Sequence, residues 1–175
     1  AEGQSIIDNL EGRGVNISNI ITVEDRKTLA KIRFFGSRES LLDRGQILLQ
    51  ADRGPNENLD ESVSESLTMS ALSSMENSSA LVISDYDKGV VSPDGAQSLI
   101  QYANDAGIPS IVDPKLTGLD KSRGATVVIF EKRGLSLLTR RMNAENDDAA
   151  GKVLLNEYSW DGILVLGGIN GVYLQ

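Results

Sequence analysis

Asp85, Tyr86, Asp87 and Lys88 stand side by side, directly after the apolar run Ala80–Ser84 and directly before Gly89. Two carboxylates, a phenol and an ammonium at the end of a core strand make either a solvated turn capped ahead of Pro93 or a site. A second polar group, Asp113-Pro114-Lys115, ends the run IPSIVD. Proline continues neither a helix nor a ladder, so the chain must leave the sheet there. Its plain reading is an Asp-Pro turn with Lys115 in solvent. Its functional reading makes Lys88 or Lys115 a point charge for a phosphate. A third group, LGGING (166–171), is a glycine-rich turn that serves a hairpin as readily as a nucleotide. Lys132, Arg133, Arg140 and Arg141 read as a solvated face rather than a ligand patch.

The sequence contains no histidine and no cysteine. That removes the usual general base, the commonest metal ligand, thiolate chemistry and any disulfide framework. Acid–base work would fall to Asp, Glu, Lys or Tyr. A net charge of −8 argues against a nucleic-acid footprint, which needs clustered Lys and Arg. No apolar run approaches the ~18 residues of a membrane span, and no signal peptide is visible. A cytoplasmic protein without membrane or nucleic-acid partners is therefore expected.

These groups need elements to position them. A chain of 175 residues, 40% hydrophobic, supports one domain or one domain with a small appendage. Ile6, Ile7 and Leu10 have helical spacing, and Gly12 and Gly14 stop that helix. ISNIITV, KTLAKIRFF and QILLQAD read as strands with a polar turn SRESLLDRG before the last, a half-exposed antiparallel flap over about 17–52. An acidic, Ser-rich helix follows, carrying Val63, Leu67, Met69, Leu72 and Met75. From residue 79 onward apolar strands alternate with helices: SALVIS, SPDGAQSLIQYANDAG, IPSIVD, GATVVIF, NAENDDAAGKVLLNEY, GILVLGG and a short VYLQ. That is the pattern of a parallel sheet buried on both faces, with an α/β core over about 56–175. Ligands of open α/β sheets bind at the carboxyl ends of the strands, so SDYDKG, VDPK and LGGING would line one crevice.

Taken in order, TLAKIRFF, QILLQAD, LVISDYDKG, AGIPSIVDPK, RGATVV and ILVLGGINGVYL resemble the PfkB (ribokinase-like) carbohydrate kinases. The likeness is greatest to the branch that phosphorylates D-glycero-D-manno-heptose 7-phosphate in ADP-heptose synthesis. Ser84, Asp85, Tyr86, Lys88 and Gly89 match its Ser-Asp-Tyr-x-Lys-Gly strand end; Asp113–Lys115 match its Asp-Pro-Lys; Arg123–Thr126 match its Arg-Gly-Ala-Thr. Thr28, Lys31 and Arg33 match the Thr-x-x-Lys-x-Arg of its lid. The resemblance implies a three-layer α/β/α sandwich with a mostly parallel sheet and a small β lid, here truncated. It implies transfer of the γ-phosphoryl group of ATP, with magnesium, to a sugar hydroxyl, and often a homodimer formed through the lid. Phosphoryl transfer rests on positioning and charge neutralisation, which acids, lysines and glycine turns can supply. Carried over by position, Lys31, Arg33, Asp85, Lys88 and Lys115 would meet the sugar and its phosphate, and Gly168 and Gly171 the nucleotide. Asp113 and Glu131 would lie near the magnesium.

The departures are equally specific. The Gly-Ala-Gly-Asp box that carries the family's catalytic base occurs nowhere in the chain, so no catalytic residue is assigned. Glu131 stands where the family has Asn, Gly134 where it has Glu, Gln50 where it has Arg and Leu166 where it has Thr. The chain also opens on Ala1 inside a helical pattern, as a fragment or processed chain would. This chain by itself is therefore expected not to turn over, and a kinase-like binding or scaffold protein is the alternative. A Rossmann-like or flavodoxin-like binding domain ranks below both, because no glycine fingerprint follows its first strand.

Overall fold

The computed structural model describes residues 2–36, 46–55, 57–167 and 171–174. The chain divides into two compact units, Ala1–Glu57 and Asn58–Gln175.

In the first unit, helix α1 (Glu2–Glu11) ends where Gly14, at φ +74°, lets Val15 N return to Leu10 O at 3.0 Å. Strands β1 (Ala30–Gly36) and β2 (Gln46–Arg53) pair antiparallel, from Ala30 opposite Arg53 to Gly36 opposite Gln46. Phe34 faces Leu49 but Phe35 faces Ile47, so Leu48 is the extra residue of a β-bulge. The strand expected at ISNIITV is not formed. Ser18 N instead takes Asn16 Oδ1 at 2.9 Å, Ile20 N takes Ile17 O, and Asp25 adopts φ +63°. Such local bonds from Asn and Asp side chains compete with a ladder. The expected polar turn SRESLLDRG lies outside the described residues.

In the second unit, helix α2 (Glu61–Met75) precedes a five-stranded sheet in the order β3-β4-β5-β6-β7. Strands β3 (Leu81–Ser84), β4 (Ser110–Asp113), β5 (Val127–Glu131) and β6 (Gly162–Leu166) run parallel, and β7 (Val172–Leu174) returns antiparallel to β6. Helix α3 (Pro93–Asp105) links β3 to β4, and a short 3-10 turn, Leu119–Ser122, lies between β4 and β5. Two helices, α4 (Lys132–Arg141) and α5 (Asp147–Tyr158), join β5 to β6. The core gathers Ile83, Val112, Val128, Phe130, Ile163 and Val165 from the sheet with Ile100, Leu135, Leu138 and Leu154 from the helices. Burial of both sheet and helix side chains in one cluster is what the continuous apolar strands require.

Helix α4 was not expected from the sequence. Gly134 interrupts its pattern, and Glu131 at its N-cap makes no side-chain capping bond. Yet Leu135 and Leu138 are buried on one side while Lys132, Arg133, Arg140 and Arg141 are exposed, so those cations do form a solvated face. Helix α5 begins later than the run NAENDDAA implies, because Asn146 caps it by accepting Ala149 N at 2.9 Å. No helix among the described residues is long and apolar enough to cross a membrane.

Candidate functional site

Strands β3 and β4 end level, with Ser84 opposite Asp113, and Asp85 N donates to Asp113 O at 3.1 Å. Strands β5 and β6 also end level, with Glu131 opposite Leu166. Because all four run parallel, SDYDKG, VDPK, Glu131 and the start of LGGING emerge along one edge of the sheet. Gly167 N closes the last turn onto Gly171 O at 2.7 Å, and Gly171 adopts φ +82°, where a Cβ would be strained. Gly168 lies outside the described residues.

The loop after β3 is held by charge. Asp85 is only 5% exposed, and its Oδ2 pairs with Lys121 Nζ at 2.7 Å. Its Oδ1 accepts Asp87 N at 2.8 Å, an Asx-type turn that sets Asp87 at φ +53°. Lys121 Nζ also lies 3.4 Å from Asp87 Oδ1, and Thr117 Oγ1 donates to Asp87 Oδ2 at 2.7 Å. The Thr117 hydroxyl above all, with the Lys121 ammonium and the charge of Lys88, holds the Asp87 carboxyl below the usual aspartate range, against an opposing effect of burial second only to the Thr117 bond.

Lys121 was not singled out by sequence. A buried carboxylate demands a cation, but Lys88 and Lys115 are nearer in the chain, and no spacing rule marks a lysine in a 3-10 turn. Lys115 Nζ instead lies 4.9 Å from the ring centroid of Tyr86, an exposed phenol at the same edge. Lys88 is half-buried. Asp113 and Glu131 both expose their carboxylates at neighbouring strand ends. Among the described residues no three Asp, Glu, His or Cys side chains gather as a preformed metal cage. A magnesium ion bound with a nucleotide needs only one or two carboxylates besides the phosphates, so two exposed acids at strand ends fit that donor set.

Lys31 and Arg33 belong to the first unit, on one face of β1. Lys31 Nζ lies 3.8 Å from Asp52 Oδ1, and Arg33 Nε donates to Gln50 Oε1 at 3.2 Å, so each is tied to the facing strand. Gln50 is thus the acceptor that orients Arg33.

The fold is that of the PfkB-type sugar kinases. A fructokinase with bound ATP from Xylella fastidiosa superposes with a TM-score of 0.64 at 16% identity, covering 99% of this chain and 54% of that one. Phosphofructokinase-2 from Escherichia coli in complex with potassium gives 0.53 at 24% identity, covering 71% and 43%. Sequence comparison then narrows the relationship. The chain is 30% identical to the bifunctional protein HldE of Aeromonas salmonicida over 172 residues, covering 95% of this chain and 34% of that protein. It is 33% identical to HldE of Koribacter versatilis over 129 residues, covering 74% and 25%. No protein-family profile matches the chain. The chain is a homologue of the HldE proteins with the PfkB-type kinase fold, and it spans a quarter to a third of those relatives' length.

Proposed function

We propose that these residues are the lid and part of the α/β core of a carbohydrate kinase that acts on a heptose phosphate. The γ-phosphoryl group of ATP passes to a sugar hydroxyl: the new P–O bond forms as the bond to the ADP oxygen breaks, and the hydroxyl proton is released. The observation that supports this most directly is the convergence of two lysine-bearing loops, Ser84–Gly89 and Val112–Lys115, on one carboxyl edge of a parallel sheet. Homology to HldE along nearly the whole chain supports the same reading.

In this reading Lys88 and Lys115 neutralise phosphate charge. Lys31 and Arg33, tied to Asp52 and Gln50 across the hairpin, are the cations this reading assigns to the sugar's own phosphate. Gly168 and Gly171 let the backbone approach the nucleotide. Magnesium, when bound, would spread the charge of the transferring phosphates, and Asp113 and Glu131 are the side chains that would hold it. Asp85 orients the loop. None of these residues is assigned as the base, because the Gly-Ala-Gly-Asp box does not occur in the sequence.

The test is a phosphotransfer assay of the complete protein with ATP–magnesium and D-glycero-D-manno-heptose 7-phosphate. The expected product is the heptose bisphosphate together with ADP; no transfer to any sugar phosphate overturns the reading. Glu131 and Gly134, which differ from the kinase pattern, favour a second reading, a kinase-like binding module without turnover. That module shows no rise in Tm with ATP–magnesium, whereas the kinase does.

A further inference from the structure

Lys121 lies in the 3-10 turn Leu119–Ser122, well after the Asp-Pro-Lys motif in the chain, yet it is the cation that both acids of the β3 loop use. Three observations bear on its role. First, the loop needs an external support: Asp87 at φ +53° and Gly89 at φ +74° leave no ladder to continue. Second, the pair is shielded from solvent. The side chains of Lys121 and Asp85 are 14% and 4% exposed, so salt screens their attraction weakly. Third, Lys121 is itself anchored. The Gln97 amide of α3 donates to Lys121 O at 3.2 Å, and the next residue's carbonyl, Ser122 O, accepts the buried Trp160 Nε1 at 2.8 Å.

Charge adds a reason for a third lysine. Without Lys121, the charges of Asp85 and Asp87 would fall to other lysines of this edge, Lys115 among them. A lysine that the kinase reading gives to phosphate would then be drawn inward.

We propose that Lys121 is a positioning residue, which clamps the Asp85–Gly89 loop to the Asp113–Ser122 segment and takes up the charge of Asp85 and Asp87 so that Lys115 serves an anionic substrate. The clamp stands on the geometry alone; its consequence for substrate rests on the kinase reading.

Hydrogen exchange of the 175-residue chain tests the clamp without any ligand. Lys121→Met should speed exchange at the Asp87 amide about tenfold or more, leave the β5–β6 amides unchanged, and be rescued by Lys121→Arg. Unchanged exchange over 85–89 in Lys121→Met overturns the clamp. Because Lys121→Met strands a buried carboxylate, the double variant Asp85→Asn with Lys121→Met removes that charge and secures a folded protein. In the complete protein this double variant should recover Tm, yet its KM for the phosphorylated sugar should remain about tenfold above that of Asp85→Asn alone, with kcat changed less. Recovery of both Tm and KM would show a purely structural ion pair and overturn the proposal. Should the unmodified complete protein transfer no phosphoryl group, the kinase reading falls while the exchange result still decides the clamp.

Discussion

Asp87 shows how a single side chain at this edge ties stability to pH. Its carboxyl titrates below the usual aspartate range because Thr117 and Lys121 bond the charged form and Lys88 adds its charge. A depressed folded pKa means that the unfolded chain takes up the proton first. The stabilisation is therefore complete above the unfolded value of about 4 and is lost as pH falls from there through the folded value. With the side chain 42% exposed, its share stays below about 1 kcal/mol after solvent screening. Denaturant unfolding of the parent chain and Asp87→Asn should show the parent more stable at neutral pH and the gap closing below about pH 4. A gap that stays constant down to pH 3 would contradict the assignment. The same residues mark what was legible. The sequence exposed Asp85, Asp87, Lys88 and Lys115 as a polar strand end because they are contiguous with apolar runs. It hid Lys121 because a long-range ion pair leaves no periodicity, only an unbalanced buried acid.

Among the elements, caps and close approaches decide where helices begin. Ser92 Oγ accepts Gly95 N at 3.1 Å with Pro93 at the first helical position, so the Ser-Pro start of α3 was readable as a sequence signal. Ser92→Ala should lower stability by about 1 kcal/mol, as loss of an N-cap does. Gly95 has a different reason to be small. A Cβ there would lie 2.6 Å from Thr68 Oγ1 on α2 and 2.7 Å from the capping Ser92 Oγ. Gly95→Ala must displace two hydroxyls, one of which donates to Ser64 O, and should cost about 1–3 kcal/mol despite the better helix propensity of alanine. A neutral or stabilising Gly95→Ala in thermal unfolding would mean that α2 and α3 can separate there without cost. Helix α4 had no such signal. Its start lacks a side-chain cap, and what fixes it is tertiary: Leu135 and Leu138 enter the core, and Ser136 and Thr139 donate to Asp147 of α5 at 2.8 and 2.6 Å. The failed strand at ISNIITV is the converse case, where β-branched composition lost to local Asn and Asp bonding.

At the scale of the whole molecule, the α/β alternation after residue 79 was legible because strands β4 to β6 are continuous apolar runs separated by helices, whereas β3, expected to be buried on both faces, ends the sheet and leaves Val82 66% exposed. The hairpin of the first unit follows another logic. A two-stranded sheet is marginal in water unless another layer covers it. Here Phe34, Phe35, Ile47, Leu48 and Leu49 remain 49–70% exposed, with Leu48 set out of register by the bulge. We propose that a second copy of the chain covers this hairpin, since an isologous contact brings the same apolar patch from both partners. Sedimentation of the chain at micromolar concentration should then show a dimer. Phe35→Glu combined with Leu48→Glu should give monomers, because two carboxylates per hairpin would face their symmetry mates across a desolvated contact. Neither side chain is in the buried core cluster of the second unit, so thermal unfolding followed through the buried Trp160 should stay unchanged in the double variant. A parent chain that remains monomeric at the highest concentration tested would rule out self-association through the hairpin. A dimer that survives both glutamates would place the contact elsewhere.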